Sequence, residues 1–295
     1  MPDATDAARS DITRRFLFEA MDLRGEWVHL ERVMADVHAI HDYPAPVAAL
    51  LGEFLAAAVL IAGTLKFQGT LTVQARSSRA VPLIMAECSS EREVRAIARG
   101  IQGAVSGDFA ELLGDGQLAL TITPRKGRRY QGIVPLDGPS LAASLDDYFA
   151  HSEQLQTRLF LASDGQRAAG LLLQQLPTGR ELDPARREEQ WQRVSRLAAT
   201  VRDSELLQLA DVALLRRLFP GETLRLFDPR GIQFSCSCNR ERSLAALASI
   251  GIDEINSILA EQGAVTMDCE FCNRRYVFGP EDLPTHPTPD RDTLH

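Results

Sequence analysis

Two close thiol pairs stand near the C-terminal end of the chain, Cys236-Ser237-Cys238 and, thirty residues on, Cys269-Glu270-Phe271-Cys272. A cysteine thiolate is both a nucleophile and a soft metal ligand. Four of them brought to one point satisfy the tetrahedral preference of zinc and leave no open position for catalysis. Ordinary zinc ribbons pair C-x₂-C with C-x₂-C over a shorter gap, so the C-x-C half sets this chain apart. The other chemistry open to clustered cysteines is a set of structural disulfides, which needs an oxidising compartment. The chain opens Met1-Pro2-Asp3-Ala4-Thr5-Asp6 without a basic and apolar leader, which points to a reducing, cytoplasmic setting. The expectation is one zinc per chain, held in the reduced state by Cys236, Cys238, Cys269 and Cys272. The fifth cysteine, Cys88, sits in an apolar strand pattern and reads as a small buried hydrophobe.

The elements that must position these thiols are short. Residues 265–278 place strand formers on both sides of a polar turn, which predicts a hairpin holding the metal at its tip. A thioredoxin-type C-x-x-C would instead open a helix after a strand. Between the pairs, apolar spacing predicts a helix over residues 243–250 that stops at Gly251 and a second over about 253–262 that stops at Gly263. Their core is thin, mainly Leu244, Leu247, Ile255, Ile258 and Leu259, and a module this small needs a staple such as a metal. From Gly231 to His295 there are five Arg, no Lys and ten acidic residues, a formal charge of −5. That sign opposes phosphate binding, so a nucleic-acid partner is not expected. Arg240, Arg242, Arg274 and Arg275 flank the thiols, either to screen them or as solvated charges beside a turn.

Stepping outward, 32 basic residues face 40 acidic ones, a net charge of −8, and 45% of the chain is hydrophobic. Three regions follow. Residues 1–177 mix strand and helix signals: a helix over 46–65, strands over 70–75 and 81–88, a hairpin of 118–123 with 129–134 across Pro124-Arg125-Lys126-Gly127, a helix over 140–152, and a strand pair, 156–163 with 168–176. That mixture predicts an α+β fold, a mixed-sheet N-terminal core with packed helices. Residues 178–230 form a charged linker. Twelve of the twenty-six residues from Arg180 to Glu205 are charged, around a helical stripe of Trp191, Val194, Leu197, Ala198 and Val201. Such helices form only by laying the stripe on something else, which predicts a metastable segment. Residues 231–295 are the small four-Cys zinc domain. The apolar run 47–65 contains Glu53 and ends at Lys66, which predicts a buried soluble helix and no membrane partner. No nucleophile elbow, P-loop or His-Glu-x-x-His motif is present. His29, His38 and His41 lack ligand spacing, and His151-Ser152-Glu153 falls at a predicted helix end, where such residues cap. The chain therefore does not read as an enzyme.

With these residues in view, the chain resembles the bacterial redox-regulated heat-shock holdases, the thirty-three-kilodalton chaperonin family. The likeness rests on the cysteine pattern followed by Tyr276 and Phe278, on Leu50-Leu51-Gly52-Glu53 with Thr64-Leu65-Lys66-Phe67-Gln68-Gly69, and on Tyr130-Gln131-Gly132-Ile133-Val134. Tyr148-Phe149 with Ser152-Glu153-Gln154-Leu155, and Gly170-Leu171-Leu172-Leu173-Gln174, extend it over nearly the whole chain. The resemblance implies an ATP-independent holdase that is zinc-bound and inactive when reduced. It implies that oxidation forms the disulfides Cys236–Cys238 and Cys269–Cys272, releases zinc and unfolds the C-terminal region. Surface that binds unfolding client proteins is then exposed, and the protein forms a homodimer on activation, with client binding and dimerisation in the core. Two other classes stay open: a constitutive zinc-stabilised binding protein, and a thiol-disulfide oxidoreductase using Cys269 and Cys272. An oxidoreductase needs one reactive pair, whereas a zinc switch needs both, including the C-x-C half.

Overall fold

A computed structural model of the protein describes residues 11–101, 104–247 and 252–282. The opening from Met1, the predicted helix stop at Gly251 and the stretch past Asp282 lie outside these. The chain divides into two compact units, one running to Ser235 and one starting at Cys236.

The first unit contains two sheets. Its strands in chain order are β1 (Ile12–Phe18), β2 (Leu23–Leu30), β3 (Gly69–Arg76), β4 (Leu83–Ser89), β5 (Glu93–Arg99), β6 (Gln117–Pro124), β7 (Tyr130–Pro135), β8 (Thr157–Ser163), β9 (Ala168–Gln175), β10 (Leu224–Leu226), β11 (Arg230–Gly231) and β12 (Gln233–Phe234). One sheet runs β10-β1-β2-β9-β8, with β11 also on β1, and the other runs β12-β5-β4-β3-β6-β7. Pairings are antiparallel except that of β12 with β5. The helices are α1 (Arg32–Ile40), α2 (Ala45–Thr64), α3 (Phe109–Leu113), α4 (Leu141–Tyr148), α5 (Pro184–Ala198), α6 (Asp203–Gln208) and α7 (Asp211–Leu218). The α+β class and the predicted strand pairs are present. Gly127, at φ 106, makes the turn between β6 and β7 that a side chain would strain.

Two faces explain the architecture. Helix α2 lies against strands of both sheets and carries a run of fully buried side chains from Phe54 to Leu60. By length and composition it could cross a membrane, yet most of it is buried inside the unit. Gly52 lets it approach β8 and β9 closely, because a Cβ there would collide with Ser163 Oγ. The opposite face of the first sheet is covered by α5, α6 and α7. Trp191, Val194, Leu214, Leu215, Leu218 and Phe219 pack there on Phe16, Phe18, Trp27, Leu171 and Leu173. Strands β2 and β9 are thus buried on both faces, and β9 reads Ala-Ala-Gly-Leu-Leu-Leu as an unbroken apolar run.

Polar ties fix the linker ends. Asp22 accepts from the backbone N–H groups of Gly179 (3.0 Å), Arg180 (2.9 Å) and Glu181 (3.3 Å) and from Arg187 Nη1 (2.8 Å). Burial works to raise the Asp22 carboxyl, but these donors prevail and hold it below the ordinary aspartate value. Arg14 of β1 pairs with Asp211 of α7 at 2.8 Å, and Arg217 of α7 with Glu205 of α6 at 2.8 Å.

Among the elements not anticipated are α1, β5, α3 and the short strands β10, β11 and β12. Helix α1 starts where Asp11, twenty residues upstream, accepts from the N–H groups of Glu31, Arg32 and Val33. Strand β5 hides its alternation behind charges, and Arg95 pairs with Glu87 of β4 at 2.7 Å. Helix α3 is a short turn capped by the Asp108 side chain. The helix predicted to reach residue 152 is α-helical only to Tyr148 and continues as a wider turn over Phe149–Glu153. There the Glu153 carboxylate accepts from the Tyr130 (3.0 Å) and Tyr148 (2.9 Å) hydroxyls.

Two expectations follow. Trp191 is 3% exposed, and truncating a buried Trp costs about 3–5 kcal/mol. Trp191→Ala should therefore open α5 to limited proteolysis while the sheets stay resistant; an unchanged cleavage pattern would refute the anchoring role. Burial, helped by the charge of Asp203, pushes the Glu53 carboxyl of α2 from 4.5 up to about 7. A carboxyl raised by folding stabilises while protonated, so its contribution is complete below about pH 4.5 and is lost as pH rises through about 7. Glu53→Gln should melt higher than wild type at about pH 8 and converge with it toward about pH 4.5. Identical melting temperatures across that range would contradict this.

Candidate metal centre

In the second unit, β13 (Val265–Asp268) and β14 (Arg275–Phe278) form the predicted hairpin, in register Val265 to Phe278 and Asp268 to Arg275. Its turn carries Cys269 and Cys272. The Cys269 carbonyl accepts from the N–H groups of Cys272 (3.2 Å) and Asn273 (2.7 Å), and Cys269 N–H donates to the Arg274 carbonyl at 2.9 Å. Asn273 closes the turn at φ 54, a left-handed conformation that Asn tolerates. Cys236 and Cys238 precede α8 (Arg240–Leu247), whose first turn is capped by Asn239: its Oδ1 accepts from Arg242 N–H at 2.8 Å. The Arg242 guanidinium reaches back to the Ser237 carbonyl (3.0 Å) and hydroxyl (2.9 Å), which shapes the loop between the two thiols. Helix α9 (Ile252–Gln262) ends at Gly263, φ 75, as its position predicted. Leu247, Ile255, Val265, Tyr276 and Phe278 make the small core.

The four Sγ atoms lie within 4.8 Å of one another and form the one such cluster among the described residues. Cys236 and Cys269 are 3.6 Å apart, Cys238 and Cys272 3.4 Å. Zinc–sulfur bonds of about 2.3 Å in a tetrahedron set sulfurs about 3.8 Å apart, so the donor set fits a metal of that kind. Electrostatics argue the same way. Burial works to raise the Cys238 thiol, but the Tyr276 hydroxyl, donating to it at 3.1 Å, and the neighbouring thiols prevail and bring it down to about 7. Burial and the other three thiols push Cys272 up to about 12. Burial and Cys236 likewise hold Cys269 above the ordinary value. Four thiolates at this separation repel one another, and a divalent cation at their centre removes the conflict. Bound metal would leave a net charge of −2 on such a centre, against which the flanking arginines are mostly engaged elsewhere. Arg240 donates to the Val277 carbonyl (2.8 Å) and Asp282 (2.6 Å), 4.6 Å over the Phe278 ring, and Arg275 grips Asp268 at 2.7 and 2.9 Å.

All four predicted ligands converge. Cys88 sits apart on β4, fully buried, its thiol pushed up to about 12 mainly by burial. The residue whose role sequence reasoning missed is Tyr276, read there as a strand residue. The signal available was alternation: in β14, Tyr276 and Phe278 point inward, on the side that carries the core.

Comparison with known proteins adds three findings. The family model described as Hsp33 protein matches residues 11–279. The 33 kDa chaperonins of Pseudomonas paraeruginosa and Pseudomonas aeruginosa strain UCBPP-PA14 are each 53% identical over 279 residues, covering 94% of this chain and 94% of theirs. The crystal structure of the 33 kDa chaperonin from Thermotoga maritima superposes with a TM-score of 0.78 over 92% of this chain and 96% of that one, at 24% identity, a likeness of fold.

Tyr276→Phe should keep the metal stoichiometry but lower affinity about 10–100-fold, the usual effect of losing a group that orients a ligand. Competition titration against a chromophoric chelator measures it; unchanged affinity would remove Tyr276 from the centre.

Proposed function

We propose for this chain, which belongs to the Hsp33 family of chaperones, a redox-gated, ATP-independent holdase function in the cytoplasm. Membership in a chaperone family removes the oxidoreductase alternative. The observation that carries the redox part is the convergence of four thiols in a unit whose own apolar core is five buried residues. In the reduced protein Cys236, Cys238, Cys269 and Cys272 would hold one zinc ion, which when bound ties the two ends of the unit together and balances the thiolate charge. Peroxide oxidises one thiol of a pair to a sulfenic acid and leaves as water. The partner thiol then attacks that sulfur, a second water leaves, and a disulfide has replaced two ligands.

Sγ···Sγ separations of 3.6 Å between Cys236 and Cys269 and 3.4 Å between Cys238 and Cys272 run across the halves, so proximity also allows bonds between these pairs. Such bonds would close long loops and keep the unit folded. Bonds Cys236–Cys238 and Cys269–Cys272 close loops of only three and four residues, which constrain the unfolded chain little and cannot replace a metal tie. Only these near-neighbour pairs let the unit unfold on oxidation.

Unfolding then passes along the chain. The segments just before Cys236 are β12, β11 and β10, of two, two and three residues, each on a sheet edge. Elements this short have little stability of their own. Upstream lie α7, α6 and α5, and their departure would bare Phe16, Phe18, Trp27, Leu171 and Leu173 together with their own apolar stripes. A contiguous apolar face of this kind suits unfolding client proteins, and a homodimer formed on activation would present two.

Peroxide with mild heating should release about one zinc per chain, the stoichiometry of a single four-Cys site, and convert the protein to one that suppresses light scattering from a thermally unfolding client. Cys269→Ser should lower zinc content and melt the second unit while sparing the core, whereas Cys88→Ser should activate normally. Disulfide mapping by mass spectrometry decides the mechanism: retained zinc, or predominant Cys236–Cys269 and Cys238–Cys272 bonds, in a fully active sample would refute it.

A further inference from the structure

Between β1 and β11 of one sheet and the β4–β5 turn of the other, the first unit has a small cleft of about 80 Å³. Its charged lining is Arg15 of β1, Glu26 of β2, Arg92 of the turn and Arg230 of β11. Glu26 is 5% exposed and already engaged: Oε1 accepts from Thr13 Oγ1 at 2.7 Å and Oε2 from Arg15 Nε at 3.4 Å. The arginines are far less committed. Arg15 gives one further N–H to the Gly63 carbonyl at 2.6 Å, and Arg92 gives its Nε–H to the Gly231 carbonyl at 3.2 Å. Among the described residues Arg230 donates no hydrogen bond, and neither it nor Arg92 makes an ion pair. A guanidinium carries five N–H donors, so each of the three keeps some without an acceptor in the protein. These groups are also within reach of solvent: Arg230 is exposed, and Arg15 and Arg92 are half-buried.

Charge and size narrow the chemistry. Three guanidinium groups, which stay protonated, face one carboxylate, so the lining carries an excess of two positive charges. Glu91, beside Arg92 in the chain, is taken by Arg125 at 2.7 Å. Arg24 on β2 feels the same excess: burial first, and then repulsion from Arg15, hold its guanidinium below the ordinary value. Clefts for organic ligands run to about 300–1,000 Å³, whereas 80 Å³ has room for one small ion and a little water. A tetrahedral oxyanion offers acceptor oxygens in several directions, which suits guanidinium forks arriving from three separate segments. A dianion cancels the excess, and a monoanion leaves half of it.

We propose that this cleft binds a small dianionic oxyanion, phosphate or sulfate, gripped between Arg15, Arg92 and Arg230. Strand β11 is held to β1 by only two residue pairs, Ile12 with Gly231 and Thr13 with Arg230. A bound oxyanion fastens this short strand to β1 and to the β4–β5 turn at once. Because β11 lies in the chain between the linker helices and Cys236, occupancy favours the docked linker over the released one, by the ordinary linkage between ligand and conformation. This regulatory consequence rests on the redox-gated reading above; the binding itself does not.

The test is isothermal titration calorimetry of the reduced full chain at constant ionic strength. Sodium sulfate, sodium phosphate and glycerol phosphate are compared with perchlorate, which keeps the tetrahedron with a single charge, and with acetate. Saturable binding of sulfate and phosphate with a Kd of about 1 mM or tighter is expected. Perchlorate and acetate should bind about tenfold more weakly or worse, as for loss of a charge-assisted contact. Glycerol phosphate identifies the source: binding equal to phosphate assigns the site to the phosphoryl group of a larger molecule, binding of the inorganic ions alone assigns it to the free anion, and both support the site. Arg230→Gln and Arg92→Gln should each weaken binding about tenfold on the same ground, and Arg230→Gln, on the surface, should not lower the melting temperature of anion-free protein. No saturable heat from either inorganic dianion up to about 10 mM, an affinity too weak to matter, would overturn the proposal, as would undiminished binding in the double variant. With sulfate present, the lag before peroxide-induced chaperone activity should lengthen in the wild type and not in Arg230→Gln. Binding without a longer lag would overturn the regulatory consequence alone, while absence of activity in anion-free protein would count against the redox-gated reading and leave the site standing.

Discussion

The sheet formed by β1, β2, β9 and β8 has two apolar faces and must cover both. Helix α2 covers one permanently, since it is wedged among strands of both sheets. The other is covered by α5, α6 and α7, helices rich in charge whose apolar stripes have no other place to go. Neither partner is content alone: the sheet face would be a large exposed patch, and isolated amphipathic helices of this length are marginal in water. The linker and the outer sheet face are therefore complementary apolar surfaces within one chain.

The thiol centre obeys a similar constraint in electrostatic form. Four sulfur ligands within 4.8 Å cannot all be ionised without a counter-charge. The protein supplies local help through the Tyr276 hydroxyl on Cys238 and the Arg274 charge near Cys238 and Cys272, while Arg240 and Arg275 are spent on Asp282, Asp268 and a backbone carbonyl. The centre is thus arranged so that a bound ion would relieve it, and the apolar core around it is small.

Much of this was legible in the amino-acid sequence. The thiol pairs declared the site because cysteine spacing is a local property, and the hairpin around Gly127 and the long helix with Glu53 follow from turn chemistry and apolar period. What escaped depends on contacts between distant residues. No local pattern announces that Asp11 caps a helix beginning at Arg32, or that Glu87 neutralises Arg95 so that β5 can be a strand. The linker stripe around Trp191 was visible, but the face it covers is assembled from β1, β2 and β9, which only the fold brings together. The role of Tyr276 is of the same kind, since its hydroxyl meets a sulfur thirty-eight residues away.

The covalent continuity of α5, α6 and α7 with the sheet they cover has a kinetic meaning. A tethered segment competes for its surface at an effective concentration on the order of millimolar, independent of how much protein is present. Any client seated on the same face would be held only while the helices are prevented from returning. Once they regain their fold, displacement becomes a unimolecular event whose rate is set by the chain itself. The strength with which Trp191 and its neighbours grip the sheet would then also fix how tightly a foreign chain must bind to resist eviction, so that anchoring and release are governed by one set of contacts.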